Sequence, residues 1–599
     1  MNMTRIAGRS LLSTATVLAA TLTLATMPAA DGTVNARSPG DRHLLDDEPP
    51  ETDRQLAALA TRPGLLAKAA PDECFLGIGT QDTPGPDCEA GQPKVNQSYV
   101  WGLTKSGDHV WFGTAANVHC LTLGIGLGQT EPIENDDFVC EYGESQQRVA
   151  NPFIPAAGGD LRPPKVYLYD TSSRKLTDKT GTISKKSRID KQRLETTVGI
   201  RAAGSHRGVV LLGGPGPLGI NLFAFDGASG RYLGSTTLTV YGNIRHFLVA
   251  DGALYAGVGV GPDGMAGGAV LRWTGNKSNP FRFAVVGNLP AQVADIAVHK
   301  GRIFVTTWPS ISLDGRGPIT AGVWVSRWLT DGKRGLTTAD AKRWKQVWNV
   351  TQYEPDPVVA ATYGLGGLAS YGGYLYWGTM HMPLKATQTH TTRHKPASDE
   401  QGVLAVENTQ RTASIFRASR FDKGKASAEL LYGASELPAF DPKANDGAGG
   451  WQPTRTGYRP KFGAAGFGNG YNNYIWKMVV TGGSLYVGTM DWSYVSNGLP
   501  PALGGAVRAG LGAADPASYG ADLWVFDNKG KPAKPLDTTG LGNYLNYGVR
   551  TMVADRSAIY LGMANPMNLR TGKGDDVPEG GWELIRLPVA NSRSSAAKG

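Results

Sequence analysis

His381, Asp491 and Tyr547 are the residues of this chain best placed to move protons, each at an end of a short apolar run. Glycoside hydrolysis needs two facing carboxylates. Asp491 offers one, and Asp136, Asp137, Glu141, Asp399 or Asp575 would have to bring the second from a loop. Elimination from a uronate needs a base and a cation that neutralises the substrate carboxylate. His381 or Tyr547 is the candidate base, and Arg550, Arg245 or Lys477 the neutraliser. His119, His246 and His381 raise a three-histidine metal site. His246, however, is one residue past an inward strand position and should face the sheet packing, so no metal is expected. No Gly-x-Ser-x-Gly elbow occurs in a strand-to-helix context, and no Walker or dinucleotide fingerprint has its helix. Serine-hydrolase and nucleotide chemistry are disfavoured, and no cofactor is expected.

Strands must position these residues. The chain has 599 residues, of which 80 are Gly, a composition costly in helix interiors, while 14 Trp and 22 Tyr favour strands. One pattern recurs: strand, turn, strand, small residue. Tyr99-Val-Trp-Gly-Leu leads to His109-Val-Trp-Phe-Gly-Thr114, and Tyr474-Ile-Trp-Lys-Met leads to Ser484-Leu-Tyr-Val-Gly-Thr489. Counting back 12 positions from the small residue aligns seven copies without gaps. Gly113 gives Trp101, Gly213 Arg201, Gly257 Arg245, Thr306 Ala294, Gly378 Gly366, Gly488 Trp476 and Gly562 Arg550. Turn glycines inside the copies, as in Asp251-Gly252, Lys300-Gly301, Gly372-Gly373 and Gly482-Gly483, are hairpin chemistry. A third strand follows each hairpin, for example Val166 to Asp170, Asn221 to Asp226 and Ala521 to Asp527, and a weaker fourth often follows that.

Sheets in series of this kind resemble the β-propeller superfamily in its kelch-like form of divergent blades, over roughly residues 95–588. The resemblance implies an all-β fold: a seven-bladed β-propeller of four-stranded blades with long loop insertions on one face. The blades fall near 95–170, 195–240, 241–287, 290–349, 361–433, 472–537 and 545–588, within a single domain over 71–588. The kelch Gly-Gly pair with its paired aromatics is not repeated blade by blade, so galactose-oxidase-type chemistry is not implied. Nor can four histidines be set on matching inner positions, as an iron-holding carotenoid-oxygenase propeller would need.

In a propeller the first strand of each blade lines the channel. The channel then carries Arg201, Arg245 and Arg550, with Lys477 beside Trp476. Polar and aromatic residues mark both ends of the hairpins: Asn96, Gln97, Asn243, Tyr363, Asn472, Asn473, Asn546 and Tyr547 on entry, and Asn117, His119, Trp308, His381, Asp491, Trp492 and Asn565 on exit. Cations and aromatics with few carboxylates suit an anionic, sugar-like ligand. Arg201, Arg245, Lys477, Arg550, Asn117, Trp308, Trp492 and Asn565 are the candidate binding residues. Long loops after Gly113, Gly378 and Gly488, and an insertion over 422–472 carrying Trp451, would wall a groove open at one edge. The expected partner is an anionic polysaccharide or cell-wall glycan, bound by a monomer that could also cleave it as a lyase or hydrolase. The competing reading is a non-catalytic extracellular binding or scaffold protein.

The first 36 residues have the basic start, apolar run and small-residue sites of a secretory signal, so a secreted protein is expected. Residues 37–70 read as a disordered leader and 589–599 as a flexible tail. Cys74, Cys88, Cys120 and Cys140 form an even set suited to two disulfides, most simply Cys74–Cys88 and Cys120–Cys140. No later segment has 18 consecutive apolar residues, so stable membrane insertion is not expected. Net charge is +9, much of it between Arg174 and Arg193, read as a solvated basic hairpin or an attraction to anionic surfaces; no nucleic-acid motif accompanies it. The last blade lacks an evident fourth strand, which residues near Phe75 to Ile78 could supply.

Overall fold

Two-residue turns set the register of the structure, a computed structural model that describes residues 64–80, 83–85, 88–134, 138–142, 154–311, 318–329, 335–421, 426–566 and 580–589. At Asp251-Gly252, Lys300-Gly301, Gly372-Gly373 and Gly482-Gly483 both turn residues have positive φ. Such turns carry the twist that flanking strands need. The expected secretory segment, most of the leader, Asp136, Asp137, Asp575 and the tail beyond Val589 lie outside the described residues.

The described chain is mostly β, in antiparallel sheets, as an all-β propeller requires. Ala202–His206, Val209–Gly216, Gly219–Asp226 and Tyr232–Leu238 form one four-stranded meander. Tyr241–Ala250 to Phe283–Leu289 and Val293–His299 to Lys345–Asn349 form two more. Elsewhere, a second strand bridges to the first strand of the following hairpin, through Met380 with Tyr474 and Met490 with Gly548. Ala564 pairs with Tyr99 in the same way, joining the last hairpin to the first.

The repeated small residue has a steric cause. A Cβ at Gly378 would lie 2.3 Å from the Cβ of Ile475, and one at Gly488 2.6 Å from that of Val549. At these two positions the second strand presses against a β-branched residue of the neighbouring first strand, and only hydrogen fits between. The threonine that follows has its own task. The hydroxyls of Thr114, Thr379 and Thr489 accept the backbone N–H of Lys165, Ser414 and Asp522 at 2.8 Å each, fixing where the third strand begins.

Two expectations about the N-terminal region are corrected. Leu65–Lys68, inside the supposed disordered leader, is a strand that pairs antiparallel with Glu583–Pro588. It supplies the strand sought near Phe75 to Ile78. Glu73–Phe75 belongs instead to a small sheet with Thr83–Pro84 and Gln92–Lys94. Disulfides join Cys74 to Cys88 and Cys120 to Cys140. The basic stretch is a hairpin only at its start, where Lys175–Asp178 pairs antiparallel with Val166–Asp170; Thr180–Ser184 and Arg188–Glu195 are helices, the second capped by Ser187 accepting the N–H of Asp190. Among the described residues no helix is long and apolar enough to cross a membrane.

The long loops fold into helices rather than groove walls. Asp399–Thr409 and Pro501–Leu511 contribute Val406, Ala506 and Val507 to an apolar cluster with Tyr99, Tyr474, Trp476, Trp492 and Tyr547. The aromatic hairpin ends are filled by this packing.

Candidate functional site

An irregularity of the first strands creates the site. Their pairing with the second strands shifts between Val100 and Gly102, Ile244 and His246, Val293 and Asp295, Ile475 and Lys477, and Val549 and Thr551. The bulged residues are Trp101, Arg245, Ala294, Trp476 and Arg550, the residues found by counting back from the small residue. A bulge sets two consecutive residues against one and re-aims their side chains. The residue that follows therefore joins the bulged one at the axis. Trp101, Arg201, Arg245, Ala294, Gly366, Trp476 and Arg550 all line one cavity, together with His246, Asp295, Lys477 and Thr551. The cavity measures about 40 Å³. At ~10–15 Å³ for each water-sized occupant, it admits three or four such groups.

Each cavity arginine is backed by a tryptophan. The guanidinium carbon lies 4.9 Å from the ring centre for Arg201 over Trp101, 4.1 Å for Arg245 over Trp308 and 5.3 Å for Arg550 over Trp476. Arg201 donates to Asn243 Oδ1 at 3.1 Å and Arg245 to Gln292 Oε1 at 3.3 Å. The Nε atoms of Arg201 and Arg550 are buried without a partner among the described residues. Burial, then Arg550, lowers Arg201 to about 9; burial lowers Arg550 to about 10; burial, then Arg201 and Arg550, puts Arg245 well below its ordinary value. A guanidinium does not give up its proton in a protein, so these shifts reflect the cost of burying charge, to which mutual repulsion adds at Arg201 and Arg245, rather than neutral arginine.

One anion is built into the wall. Lys477 Nζ donates to both carboxylate oxygens of Asp295 at 3.0 Å and lies 3.2 Å from His246 Nδ1. Burial would raise Asp295, yet Lys477 and His246 hold it below the ordinary carboxylate range. Burial, then Lys477, lowers His246 to about 4, so the ring is neutral at pH 7 and can accept from the ammonium. Four cations therefore face one carboxylate around a small bore.

The other expected site residues are placed elsewhere. His381 is buried in a second cavity of about 10 Å³, its Nε2 2.8 Å from Thr379 Oγ1 and its ring edge-on to Tyr363. Burial, then Arg411, holds its pKa well below the ordinary value, so it is a neutral packing residue. Asp491 is 1% exposed, accepting from Ser493 N at 2.8 Å, from the Ser493 hydroxyl and from Asn469 Nδ2 at 2.7 Å. It shapes the turn into Ser493–Ser496. Tyr547 is buried between Tyr99 and Trp476, and burial raises its hydroxyl far from use as a base. Asn117 is a left-handed turn residue whose amide donates to Asn96 Oδ1 and Asp160 O, both at 2.9 Å. Trp492 packs on Tyr471, and Asn565 is fully buried with its N–H on Ser98 O at 3.1 Å. Of the eight proposed binding residues, Arg201, Arg245, Lys477 and Arg550 share the axial cavity, and Trp308 stands behind Arg245. Of the proposed catalytic set, Asp491 and Tyr547 adjoin through the Asp491 backbone N–H on Tyr547 O at 2.8 Å, and the side chains of all three are buried.

Glu141, a possible second carboxylate, is buried in ion pairs with Lys94 at 2.5 Å and Arg162 at 3.1 Å. Asp399 opens a helix. His246, expected to face the packing, faces the bore because of the bulge at Arg245. Asp295 was missed for the same reason: it follows Ala294 by one. The sequence carries a signal for it, since Lys477 stands one residue past Trp476 just as Asp295 stands one past Ala294. Among the described residues no three metal-binding side chains converge.

Fold and site together define a propeller-like, mostly β protein with a cationic axial cavity. No family model matches the chain, and no curated protein matches it. Among solved structures, the Dos1 propeller is similar at a TM-score of 0.35 and 8% identity, over 86% of this chain and 94% of that one. A puromycin-hydrolyzing peptidase of Mycobacterium tuberculosis gives 0.37 and 10%, over 83% and 51%. A luciferin-regenerating enzyme gives 0.31 and 10%, over 65% and 90%. Likeness at this level assigns no activity to this chain.

Proposed function

We propose that this chain is an exported, seven-bladed β-propeller that binds the anionic group of an acidic glycan at its axis, and that it acts by binding rather than cleavage. Ring closure is supported by Leu65–Lys68 on Glu583–Pro588, by the Ala564 pairing with Tyr99, and by Val100 packed where Gly562 has no side chain. Two disulfides support an oxidising destination.

The observation that carries the reading is the convergence of Arg201, Arg245 and Arg550, with two buried Nε atoms lacking an acceptor. Buried donors without partners are rare and costly, and an anion in the bore would satisfy them. The cavity has room for a charged group, not for a sugar chain, so the rest of the ligand would lie outside it.

Binding without cleavage is favoured because His381 and Tyr547, the expected bases, are buried in packing. Elimination is the second reading, favoured by His246, a neutral imidazole facing the same cavity as the arginines. Titrating the intact protein with oligosaccharides bearing carboxylate, sulfate or phosphate groups, while assaying for new chain ends, separates the two. Binding without new ends is expected. Arg550→Ala should weaken it about tenfold or more, since a charge-assisted hydrogen bond contributes roughly 1.5–3 kcal/mol. New chain ends would replace this reading by the lyase, and unchanged binding in a folded Arg550→Ala protein would remove the axial site.

A further inference from the structure

We infer that the axial site takes a tetrahedral oxyanion, a phosphoryl or sulfuryl group, in preference to a carboxylate. This rests on the anion-binding reading above and narrows its ligand class.

The argument is one of donors and directions. A guanidinium carries five N–H donors in a rigid fork. The protein acceptors in the bore take one donor from Arg201 and one from Arg245, through Asn243 and Gln292. Among the described residues Arg550 has no protein acceptor for its Nε. A carboxylate offers two oxygens whose roughly four lone-pair sites all lie near one plane, so it best suits forks that arrive in that plane. A guanidinium approaching from outside that plane is poorly matched to a carboxylate lone pair. A tetrahedral group presents its oxygens in different directions, which suits forks arriving from three separate strands. Arg201 immediately precedes Ala202–His206, Arg245 lies in Tyr241–Ala250 and Arg550 in Gly548–Ala554.

The forks are also not free to swing together. Trp101, Trp308 and Trp476 each lie against one guanidinium and fix its place. Charge points the same way, because four cations face only Asp295, and a dianion offsets more of the excess than a monoanion. The volume of about 40 Å³ suits a head group of this size.

The test is calorimetric titration of the intact protein at fixed pH and ionic strength. The probes are inorganic phosphate, sulfate, acetate, glucuronate and glucose 6-phosphate. Phosphate and sulfate are expected to bind at least tenfold more tightly than acetate and glucuronate. Arg245→Lys, which keeps the charge and removes the fork, should reduce that preference; a preference unchanged in the folded variant would overturn the inference. The comparison of anions on the unaltered protein needs no variant to fold. Glucose 6-phosphate binding as tightly as phosphate would support a group carried on a larger ligand, and binding of the free ions alone would support a resident ion; both fit a tetrahedral site. Acetate or glucuronate binding as tightly as phosphate would overturn the inference and leave the anion site standing. Binding of none of the five would remove both.

Discussion

The guanidinium of Arg245 lies 4.1 Å from the ring centre of Trp308, and the buried indole N–H of Trp308 has no hydrogen-bond partner among the described residues. The ring therefore acts as a platform for the arginine. A cation–π contact contributes ~0.5–2 kcal/mol, so Trp308→Ala should weaken anion binding by roughly 2- to 30-fold. Calorimetry on the folded variant checks this. An unchanged dissociation constant would mean that Arg245 is held by Gln292 alone.

Lys477 and Asp295 form a buried pair whose members need each other. Lys477→Met leaves a carboxylate in the bore without its main cation and should cost about 3–5 kcal/mol. The double variant Lys477→Met, Asp295→Asn should recover most of that loss. The pH dependence follows from the lowered pKa of Asp295. Its stabilisation is present above the unfolded value of about 4 and is lost as pH falls through the lower folded value. Denaturant unfolding of both variants from pH 7 downward measures it.

Asp522 has the opposite sign. Burial raises its pKa to about 7, although Trp524 Nε1 and Asn472 Nδ2 both donate to its Oδ2. Its contribution is fully present below the unfolded value of about 4 and is lost as pH rises through about 7. Oδ1 has no partner, so Asp522→Asn can keep an oxygen for both donors and place its NH₂ on the free side. The variant should unfold with a flatter pH profile between about 4 and 7. An unaltered profile would show that Asp522 is ionised throughout.

Two glycines should respond in opposite directions. Gly378→Ala forces a Cβ to within 2.3 Å of Ile475 and should destabilise by about 1–3 kcal/mol. Gly505, in the helix Pro501–Leu511, has nothing within 4 Å of a new Cβ, so Gly505→Ala should stabilise by about 0.5–1 kcal/mol. Thermal unfolding of the pair compares them. Equal effects would undo the steric account of the repeat.

The hairpins were legible in the sequence because their causes are local. A two-residue turn needs positive φ, and the close approach at Gly378 or Gly488 forbids a side chain. The constant offset was legible too, but its meaning was not. Strand alternation puts His246 and Asp295 on the wrong face, and only the bulges at Arg245 and Ala294 bring them to the axis. Polar strand ends were read as an open funnel. Asn117 and Asp491 instead satisfy backbone groups and turns, which composition does not distinguish from binding. The helices that cover the face gain their packing from partners roughly a hundred residues away, such as Val406 with Val507. Leu65–Lys68 finds its partner near the other end of the chain. Neither relationship leaves a local pattern.

The central claim is that the axis holds an anion, and a crystal structure of the intact protein grown with phosphate tests it most directly. The account predicts a tetrahedral ion in the bore within hydrogen-bonding distance of Arg201 Nε and Arg550 Nε, with Arg245 completing the set. An empty or water-filled bore, with phosphate bound instead on the face bearing Trp492 and Asn565, would contradict it.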